Sequence, residues 1–191
     1  MKLIPTAIED VKIIEPDVFG DNRGWFTETY NKEKFHELGI TNDFVQDNMS
    51  FSAKRGTLRG LHYQCYPFSQ AKLVRCVKGT VIDVAVDIRK GSPTYGKWVS
   101  CELSEENKRM FFIPQGFAHG FVTISDDVIF QYKCDNLYNK ASEGGIRYDD
   151  ETIGVNWKRF ISVSEMILSE KDKIAPALSG CNANFIYKEN C

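Results

Sequence analysis

Short runs of β-forming residues, separated by turn residues, dominate this sequence and narrow its fold class to folds rich in β-strands. The clearest run is 80–88, where one apolar set alternates with a mixed set. The first set is Ile82, Val84, Val86 and Ile88, and the second is Val81, Asp83, Ala85 and Asp87. A period of two is typical of a β-strand with one buried face, so this run predicts a half-buried strand.

Similar runs recur between clusters of Gly, Pro, Asn and Asp, at 8–14, 24–30, 44–51, 57–63, 72–78, 98–103, 109–113, 118–124 and 128–134. Helical signals are few. Asn31 can cap a short helix that ends at Gly39, and Ser169 can begin another that Pro176 cuts short. Many short strands without long helices predict an all-β fold, an antiparallel sandwich or barrel with a jelly roll favoured.

The composition is that of one folded domain spanning 1–191. The chain has 191 residues, 42% of them hydrophobic and 26% charged, and neither a repeat nor a Pro/Ser-rich linker divides it. Its formal net charge is −2, so no overall basic field favours nucleic-acid binding.

Sequence signals for export or membrane insertion are lacking. Residues 1–10 do not contain the apolar core of a signal peptide, and no uncharged apolar stretch approaches membrane-spanning length. The cysteines are scattered without a Cys-x-x-Cys pair, at Cys65, Cys76, Cys101, Cys134, Cys181 and Cys191. We therefore expect reduced, mostly buried thiols in a cytoplasmic protein.

The three histidines differ in their surroundings. His36 falls on the polar side of the predicted helix and is expected at the surface. His62 and His119 lie in predicted strands beside glycines, and each fits either a hydrogen-bonded core histidine or a site residue. A metal site needs three or four converging ligands, and these isolated histidines make a weak case, so a metal-free site is favoured.

Three other side chains allow both a structural and a chemical interpretation. Lys72 can extend to the sheet edge or stabilise an oxyanion inside a barrel. Tyr132 can be a buried barrel residue or a general acid. Arg59 suits phosphate binding, but its spacing of three from His62 places the two on opposite strand faces, so we predict a β-bulge at Gly60 that reconciles them.

Taken together, several stretches resemble the dTDP-4-dehydrorhamnose 3,5-epimerase family over nearly the whole chain and in the family's order. They are 19–26 (FGDNRGWF), 46–48 (QDN), 56–64 (GTLRGLHYQ), 71–75 (AKLVR), 83–94 (DVAVDIRKGSPT), 114–121 (PQGFAHGF) and 168–172 (LSEKD).

The resemblance implies a cupin-type jelly roll over about 7–135, with segment 136–191 packing on it and supplying part of the site. It also implies a homodimer with swapped or shared strands, no metal and no cofactor. The implied reaction inverts C3 and C5 of dTDP-4-dehydro-6-deoxy-D-glucose. His62 matches the base, Asp172 its carboxylate partner, Tyr132 the proton donor and Lys72 the cation near O4.

Further positions match residues of the family that bind the nucleotide, the diphosphate or the sugar. They are Arg23, Phe26, Glu28, Gln46, Asn48, Arg59, Lys72, His119, Tyr138, Glu143 and Lys171. The chain departs from the family pattern in the loop 64–70, at Lys158 after Trp157, and in the tail 181–191.

The implied chemistry suits these residue types. Both carbons flank a ketone, so removing either proton gives an enolate whose charge a cation at O4 stabilises. An imidazole, with an ordinary pKa of about 6.5, is a suitable neutral base. Three alternatives stay open: an epimerase of another nucleotide-linked 4-keto sugar, a non-catalytic sugar-nucleotide-binding barrel, and a metal-dependent cupin oxygenase.

Overall fold

The computed structural model describes residues 1–188, which form mainly β-strands. The strands are β1 (Lys2–Pro5), β2 (Lys12–Glu15), β3 (Val18–Asp21), β4 (Gly24–Thr27), β5 (Gln46–Ser52), β6 (Leu58–Gln64), β7 (Lys72–Lys78), β8 (Thr80–Asp87), β9 (Trp98–Ser104), β10 (Met110–Ile113), β11 (Phe117–Thr123), β12 (Val128–Cys134) and β13 (Glu143–Gly145). The α-helices are α1 (Lys32–Glu37) and α2 (Glu170–Lys173), and the 3-10 helices are Lys140–Ser142, Trp157–Arg159, Val163–Glu165 and Leu178–Gly180.

The strands form two facing antiparallel sheets and a separate hairpin. The six-stranded sheet has the order β1-β2-β10-β7-β12-β5, and the five-stranded sheet has the order β13-β6-β11-β8-β9. Among the described residues, β3 and β4 pair only with each other. The predicted antiparallel jelly-roll fold with few short helices is confirmed.

Apolar side chains from both sheets fill the space between them. Val74, Phe111 and Phe130 of the six-stranded sheet belong to the same buried cluster as Val81 and Ala85 of the five-stranded sheet. Because burial of apolar area is the main favourable term in folding, this cluster holds the two sheets face to face.

The outer face of each sheet is also covered. Helix α1, capped by Asn31, buries Phe35 in a cluster with Leu73 and Phe112 of the six-stranded sheet. The C-terminal segment covers the outside of the five-stranded sheet, where Trp157 packs in the cluster that contains Val84.

This covering corrects the prediction for β8. The strand is buried on both faces, because its second face points between the sheets and its first lies under the C-terminal segment. Asp83 and Asp87, expected on a solvated face, are each fully buried. Antiparallel strands commonly have one face in contact with solvent. In β8 the C-terminal segment, which is distant in sequence, covers that face.

Most predicted runs coincide with strands, and those at 72–78 and 128–134 agree with β7 and β12 at both ends. Both predicted helices are present at the expected positions. Strands β1, β3 and β13 were not predicted. Strands β1 and β3 are mostly or wholly exposed, and β13 contains Glu-Gly-Gly, which lacks β-forming residue types.

Within residues 1–188 no helix has the length and apolar content needed to span a membrane. The cysteines in this part of the chain are free thiols, with Cys76, Cys101 and Cys134 buried and Cys65 and Cys181 half-buried. Cys191 lies outside the described residues.

Candidate active site

A cavity of about 430 Å³ lies between the two sheets and is closed on one side by the segment leading into α2. This volume is typical of a small-molecule site. The lining residues are Ser50, Thr57, Leu58, Arg59, His62, Lys72, His119, Phe121, Tyr132, Ile167, Leu168, Ser169 and Asp172. The cavity therefore brings together all four predicted catalytic residues.

His62 and Asp172 form a short hydrogen bond in this cavity. Nε2 of His62 lies 2.6 Å from Oδ1 of Asp172, whose side chain is 3% exposed. Ser169 caps α2 by accepting from the Asp172 backbone N–H, and its hydroxyl donates to Oδ2 of Asp172 at 2.8 Å. Burial opposes ionisation of Asp172, but the hydrogen bonds from His62 and Ser169 outweigh it and hold the pKa of this carboxyl below its ordinary value.

The orientation of the His62 ring follows from this bond. An ionised carboxylate only accepts hydrogen bonds, so Asp172 selects the tautomer with a proton on Nε2. Nδ1 is then the basic nitrogen, and within residues 1–188 no side chain or backbone group hydrogen-bonds to it. The ring is 37% exposed and thus open to a ligand.

A β-bulge at Gly60 places His62 and Arg59 in the same cavity, as predicted. In the β6–β11 pairing, His62 is opposite His119 and Arg59 is opposite Phe121, so two residues of β6 face the single residue Gly120. A Cβ on Gly60, which has φ +132°, would lie 2.5 Å from the Cα of Gly120. Only glycine fits this close backbone approach.

Lys72 and Tyr132 come from neighbouring strands of the opposite sheet, β7 and β12. The Lys72 ammonium lies 5.9 Å from the centre of the Tyr132 ring. Burial lowers the pKa of Lys72 and raises the pKa of Tyr132. The phenol is therefore kept protonated, and the base and the phenol face each other from different sheets.

His119 forms a second, deeper pair with Asp83. Nε2 of His119 lies 3.0 Å from Oδ2 of Asp83, and the His119 ring stacks on Phe130. Burial lowers the pKa of His119 and raises the pKa of Asp83. The electrostatic attraction and the hydrogen bond between the two groups oppose both shifts but are outweighed by burial. Oδ1 of Asp83 has no hydrogen-bond partner among residues 1–188.

Asp83 was missed as a site residue. Its signal was an acidic residue within an otherwise apolar strand, which the half-buried interpretation assigned to solvent. A buried carboxylate is costly, so its presence beside a cavity histidine indicates a role at the site.

Arg59 reaches the edge of the cavity. Its guanidinium donates to Ser52 Oγ and to the Phe51 carbonyl, each at 3.3 Å, while the residue stays exposed. Its free donors suit a phosphate group.

Three predicted binding residues form a cluster outside the cavity lining. Gln46 donates to Asn48 at 3.1 Å and accepts from the Tyr138 backbone N–H at 2.9 Å. The Tyr138 residue is 54% exposed, which leaves its ring available for stacking.

Glu143 and Lys171 lie beside the His62–Asp172 pair. Lys171 Nζ is 2.8 Å from Oε2 of Glu143. Glu143 starts β13, whose Gly145 is paired with His62, and Lys171 precedes Asp172 in α2.

The remaining predicted binding residues are in or beside the β3–β4 hairpin and do not line the cavity. Arg23 pairs with Asp21, and Glu28 pairs with Lys34 at 2.8 Å. Phe26 is 68% exposed.

Within the described residues 1–188, no three His, Cys, Asp or Glu side chains converge so as to hold a metal ion.

The chain matches the family model described as dTDP-4-dehydrorhamnose 3,5-epimerase over residues 5–180. It is 55% identical over 173 residues to a dTDP-4-dehydrorhamnose 3,5-epimerase from Shigella flexneri, covering 90% of this chain and 93% of the relative.

Solved structures of 3,5-epimerases also superpose on the chain over most of its length. A dTDP-4-dehydrorhamnose 3,5-epimerase from Elizabethkingia anophelis superposes with a TM-score of 0.88 at 54% identity, covering 94% of this chain and 97% of that one. A dTDP-6-deoxy-D-glucose-3,5-epimerase from Legionella pneumophila, solved with dTDP-4-keto-L-rhamnose, superposes with a TM-score of 0.88 at 48% identity, covering 94% and 93%.

Proposed function

Because the chain belongs to the dTDP-4-dehydrorhamnose 3,5-epimerase family, we propose that the cavity between its sheets converts dTDP-4-dehydro-6-deoxy-D-glucose to dTDP-4-dehydro-L-rhamnose. The chain is an isomerase, and the reaction inverts the configuration at C3 and at C5. The observation that carries the assignment of the site is the His62–Asp172 pair, which faces Lys72 and Tyr132 across one cavity.

His62 is the general base. Nδ1 takes the proton from the carbon next to the C4 ketone, and the electron pair of that C–H bond forms the enolate. Asp172, held ionised by His62 and Ser169, stabilises the imidazolium that results. The pair therefore acts as a base whose orientation is fixed before substrate binds.

Lys72 stabilises the enolate oxygen. A buried ammonium acts in surroundings of low dielectric constant, where its attraction for a developing negative charge is much greater than in water. Burial lowers the pKa of Lys72, and the charges on Asp83 and Glu143 act in the opposite direction. Its proton stays on Nζ while the charge on O4 forms and disappears.

Tyr132 returns a proton to the opposite face of the carbon. Its phenol is kept protonated by burial, and it lies on the sheet opposite His62. Transfer from Tyr132 to the enolate carbon inverts the centre, and solvent then restores the phenol and removes the proton from His62. A second round at the other carbon completes the reaction, with no net change in atoms or electrons.

The nucleotide part of the substrate binds at the cavity edge. Arg59 and His119 suit the diphosphate and sugar, and Glu143 with Lys171 contributes polar contacts beside the base. The exposed ring of Tyr138 suits stacking on thymine, with Gln46 and Asn48 next to it. The contacts to the diphosphate and to thymine are remote from the reacting carbons and hold those carbons in register with the base.

The active unit is a homodimer in which the β3–β4 hairpin reaches a second copy. The hairpin exposes Phe19, Trp25 and Phe26, while edge strand β5 exposes Met49 and Phe51 close to the cavity. Exposed apolar surfaces of this kind are typical of interfaces between protein chains. Pairing them would carry Arg23, Phe26 and Glu28 to the partner's cavity, which accounts for their distance from the cavity of their own chain.

We also propose that the enzyme acts in the cytoplasm and needs no metal. Free thiols at Cys65, Cys76, Cys101, Cys134 and Cys181 suit the reducing cytoplasm. The base, cation and acid named above supply the chemistry without a metal, so we expect full activity in the presence of a chelator. The product serves dTDP-L-rhamnose synthesis for cell-surface polysaccharide.

Turnover in deuterium oxide tests the function. NMR of the product should show deuterium at both C3 and C5 and the L-rhamno configuration. Deuterium at one carbon alone would indicate a single-carbon epimerase, and deuterium at neither would contradict the proposal. A panel of other nucleotide-linked 4-keto sugars tests the specificity, with the dTDP-glucose derivative expected to give the highest kcat/KM.

A further inference from the structure

The tail segment, residues 181–188, lies beyond the part matched by the family model, which ends at residue 180. It is nevertheless packed into the fold. Ala183 and Phe185 are buried in the cluster outside the five-stranded sheet. The backbone of Lys90 bonds to this segment twice. The Lys90 N–H donates to the Phe185 carbonyl at 3.0 Å, and the Lys90 carbonyl accepts from the Tyr187 N–H at 2.9 Å. The tail segment is therefore an ordered part of the fold that packs against the outside of the five-stranded sheet.

Asn182 of this segment joins β6 to β13. The Tyr63 hydroxyl donates to Oδ1 of Asn182 at 2.7 Å, and Nδ2 of Asn182 donates to the Glu143 carbonyl at 3.4 Å. The Cys65 thiol donates to the Asn182 carbonyl at 3.3 Å. One amide side chain therefore links the residue next to His62 with the first residue of β13.

The space around this link is tight. Tyr63 is 4% exposed, and its ring lies against Gly144 in the middle of β13. A Cβ on Gly144 would be 2.3 Å from the Tyr63 ring and 2.6 Å from Oδ1 of Asn182. Asn182 and Tyr63 therefore pack directly against the backbone of β13, with no room for a side chain at Gly144.

Strand β13 is a short edge strand. It has three residues and, among residues 1–188, pairs with β6 alone. Backbone hydrogen bonds extend this pairing on both sides, from the Cys65 N–H to the Ser142 carbonyl at 2.7 Å and between Ile146 and Leu61. The Asn182 amide adds a contact to Glu143 from the tail. The first residue of β13, Glu143, carries the carboxylate that pairs with Lys171 at 2.8 Å, next to Asp172. We propose that Asn182 is a positioning residue that fixes Glu143 for substrate binding. This proposal rests on the proposed function, in which Glu143 contacts the substrate.

The tail also contacts the loop that departs from the family pattern. The Tyr66 N–H donates to Oδ1 of Asn184 at 2.9 Å, and Nδ2 of Asn184 donates to the Tyr66 carbonyl at 3.0 Å. Asn184 thus holds the same tail to the loop after β6, and among residues 1–188 its side chain makes no hydrogen bond to β13. It provides the matched control for Asn182.

Steady-state kinetics on the full chain test this role. Asn182→Ala should raise KM for the dTDP-4-keto sugar about three- to tenfold, the effect of one neutral hydrogen bond, with kcat changed less than about twofold. Asn184→Ala should lower the melting temperature to a similar degree and leave KM unchanged. Asn182→Asp keeps the acceptor for Tyr63 but replaces the donor to Glu143 with a charged oxygen that repels the Glu143 carbonyl, so it should also raise KM and gives a second measurement if the alanine variant folds poorly.

A double-mutant cycle tests whether the effect of Asn182 on KM depends on Glu143. If Asn182 acts through Glu143, then Asn182→Ala should add no further rise in KM to a Glu143→Gln protein. An equal rise in KM for the Asn182 and Asn184 variants, or additive effects with Glu143→Gln, would overturn the inference. Failure of wild-type protein to turn over the substrate would instead contradict the proposed function.

Discussion

Nε2 of His62 lies 2.6 Å from Oδ1 of Asp172, although the two residues are 110 positions apart in the chain. His62 is fixed in the five-stranded sheet, whereas Asp172 belongs to a four-residue helix in the C-terminal segment. The segment that covers the outside of the sheet therefore also completes the base. Any change that loosens it should reduce activity before it unfolds the barrel.

The Lys72→Met variant removes the cation proposed to stabilise O4. We expect kcat to fall about 10²–10³-fold with little change in KM, because the charge on O4 develops only in the transition state. Steady-state kinetics check this. Lys78→Met, on the same strand but exposed, is the control and should keep wild-type kcat. A wild-type kcat for Lys72→Met would contradict the assigned role.

The Gly60→Ala variant tests the bulge that joins Arg59 to His62. The added Cβ would meet the Cα of Gly120 at 2.5 Å, in a left-handed backbone conformation. We expect a loss of about 1–3 kcal/mol in the free energy of unfolding and a marked fall in kcat/KM. Denaturant melts and kinetics measure both. Gly180→Ala, where an added Cβ meets nothing within 4 Å among residues 1–188, should change neither the stability nor kcat/KM. Normal activity in Gly60→Ala would show that the bulge is dispensable.

Local features of the sequence were sufficient to predict this part of the site. Runs of β-forming residues between turn residues located β6 and β7. Arg59 and His62 are three apart and would lie on opposite strand faces, so a shared site required a bulge at Gly60. Bulges obey local backbone rules, so a glycine between two residues that must share a face is an informative signal.

Other relationships depend on parts of the chain that no local pattern connects. Asp172 was paired with His62 only through the family resemblance. The burial of Asp83 could not be read from β8 itself, because the C-terminal segment and the opposing sheet create it together. The role of the β3–β4 hairpin could not be derived from its own sequence for the same reason, since the surface it is proposed to meet belongs to another molecule.

The Asp83→Asn variant tests whether the buried Asp83 carboxylate lowers the stability of the fold. Burial raises the pKa of Asp83, so the folded protein keeps this proton to a higher pH than the unfolded chain does. Ionisation of Asp83 therefore lowers stability as the pH rises through its folded pKa. We expect Asp83→Asn to melt at a higher temperature than wild type at neutral pH, with the difference shrinking as the pH falls.

Asp87→Asn, on the same strand, provides the opposite case. Burial opposes ionisation of Asp87, but hydrogen bonds from Arg89, Ser92 and Thr94 hold its pKa below the ordinary value. Its carboxylate therefore stabilises the fold at neutral pH, and this contribution is lost as the pH falls through its folded pKa. Asp87→Asn should lower the melting temperature at neutral pH. Thermal melts from pH 4 to pH 8 with the same sign for both variants would contradict this assignment.

Mixed dimers test whether Arg23 serves the partner's cavity. Arg23→Ala and His62→Asn proteins should each be nearly inactive. After equal mixing and re-association, about half of the dimers are mixed and each contains one intact site, so about a quarter of wild-type activity should return. Activity equal to the mean of the two separate variants would show that Arg23 does not act across the interface. Light scattering on the wild-type protein gives the oligomeric state.

The separation of base and proton donor on opposite sheets is tested most directly by hydrogen exchange in two variants. In deuterium oxide, Tyr132→Phe should still exchange the C3 and C5 protons of the substrate, because His62 can remove a proton and return deuterium to the same face. It should form little inverted product. His62→Asn should lose exchange and inversion together, by about 10²–10⁴-fold. Exchange at the wild-type rate in His62→Asn would contradict the account.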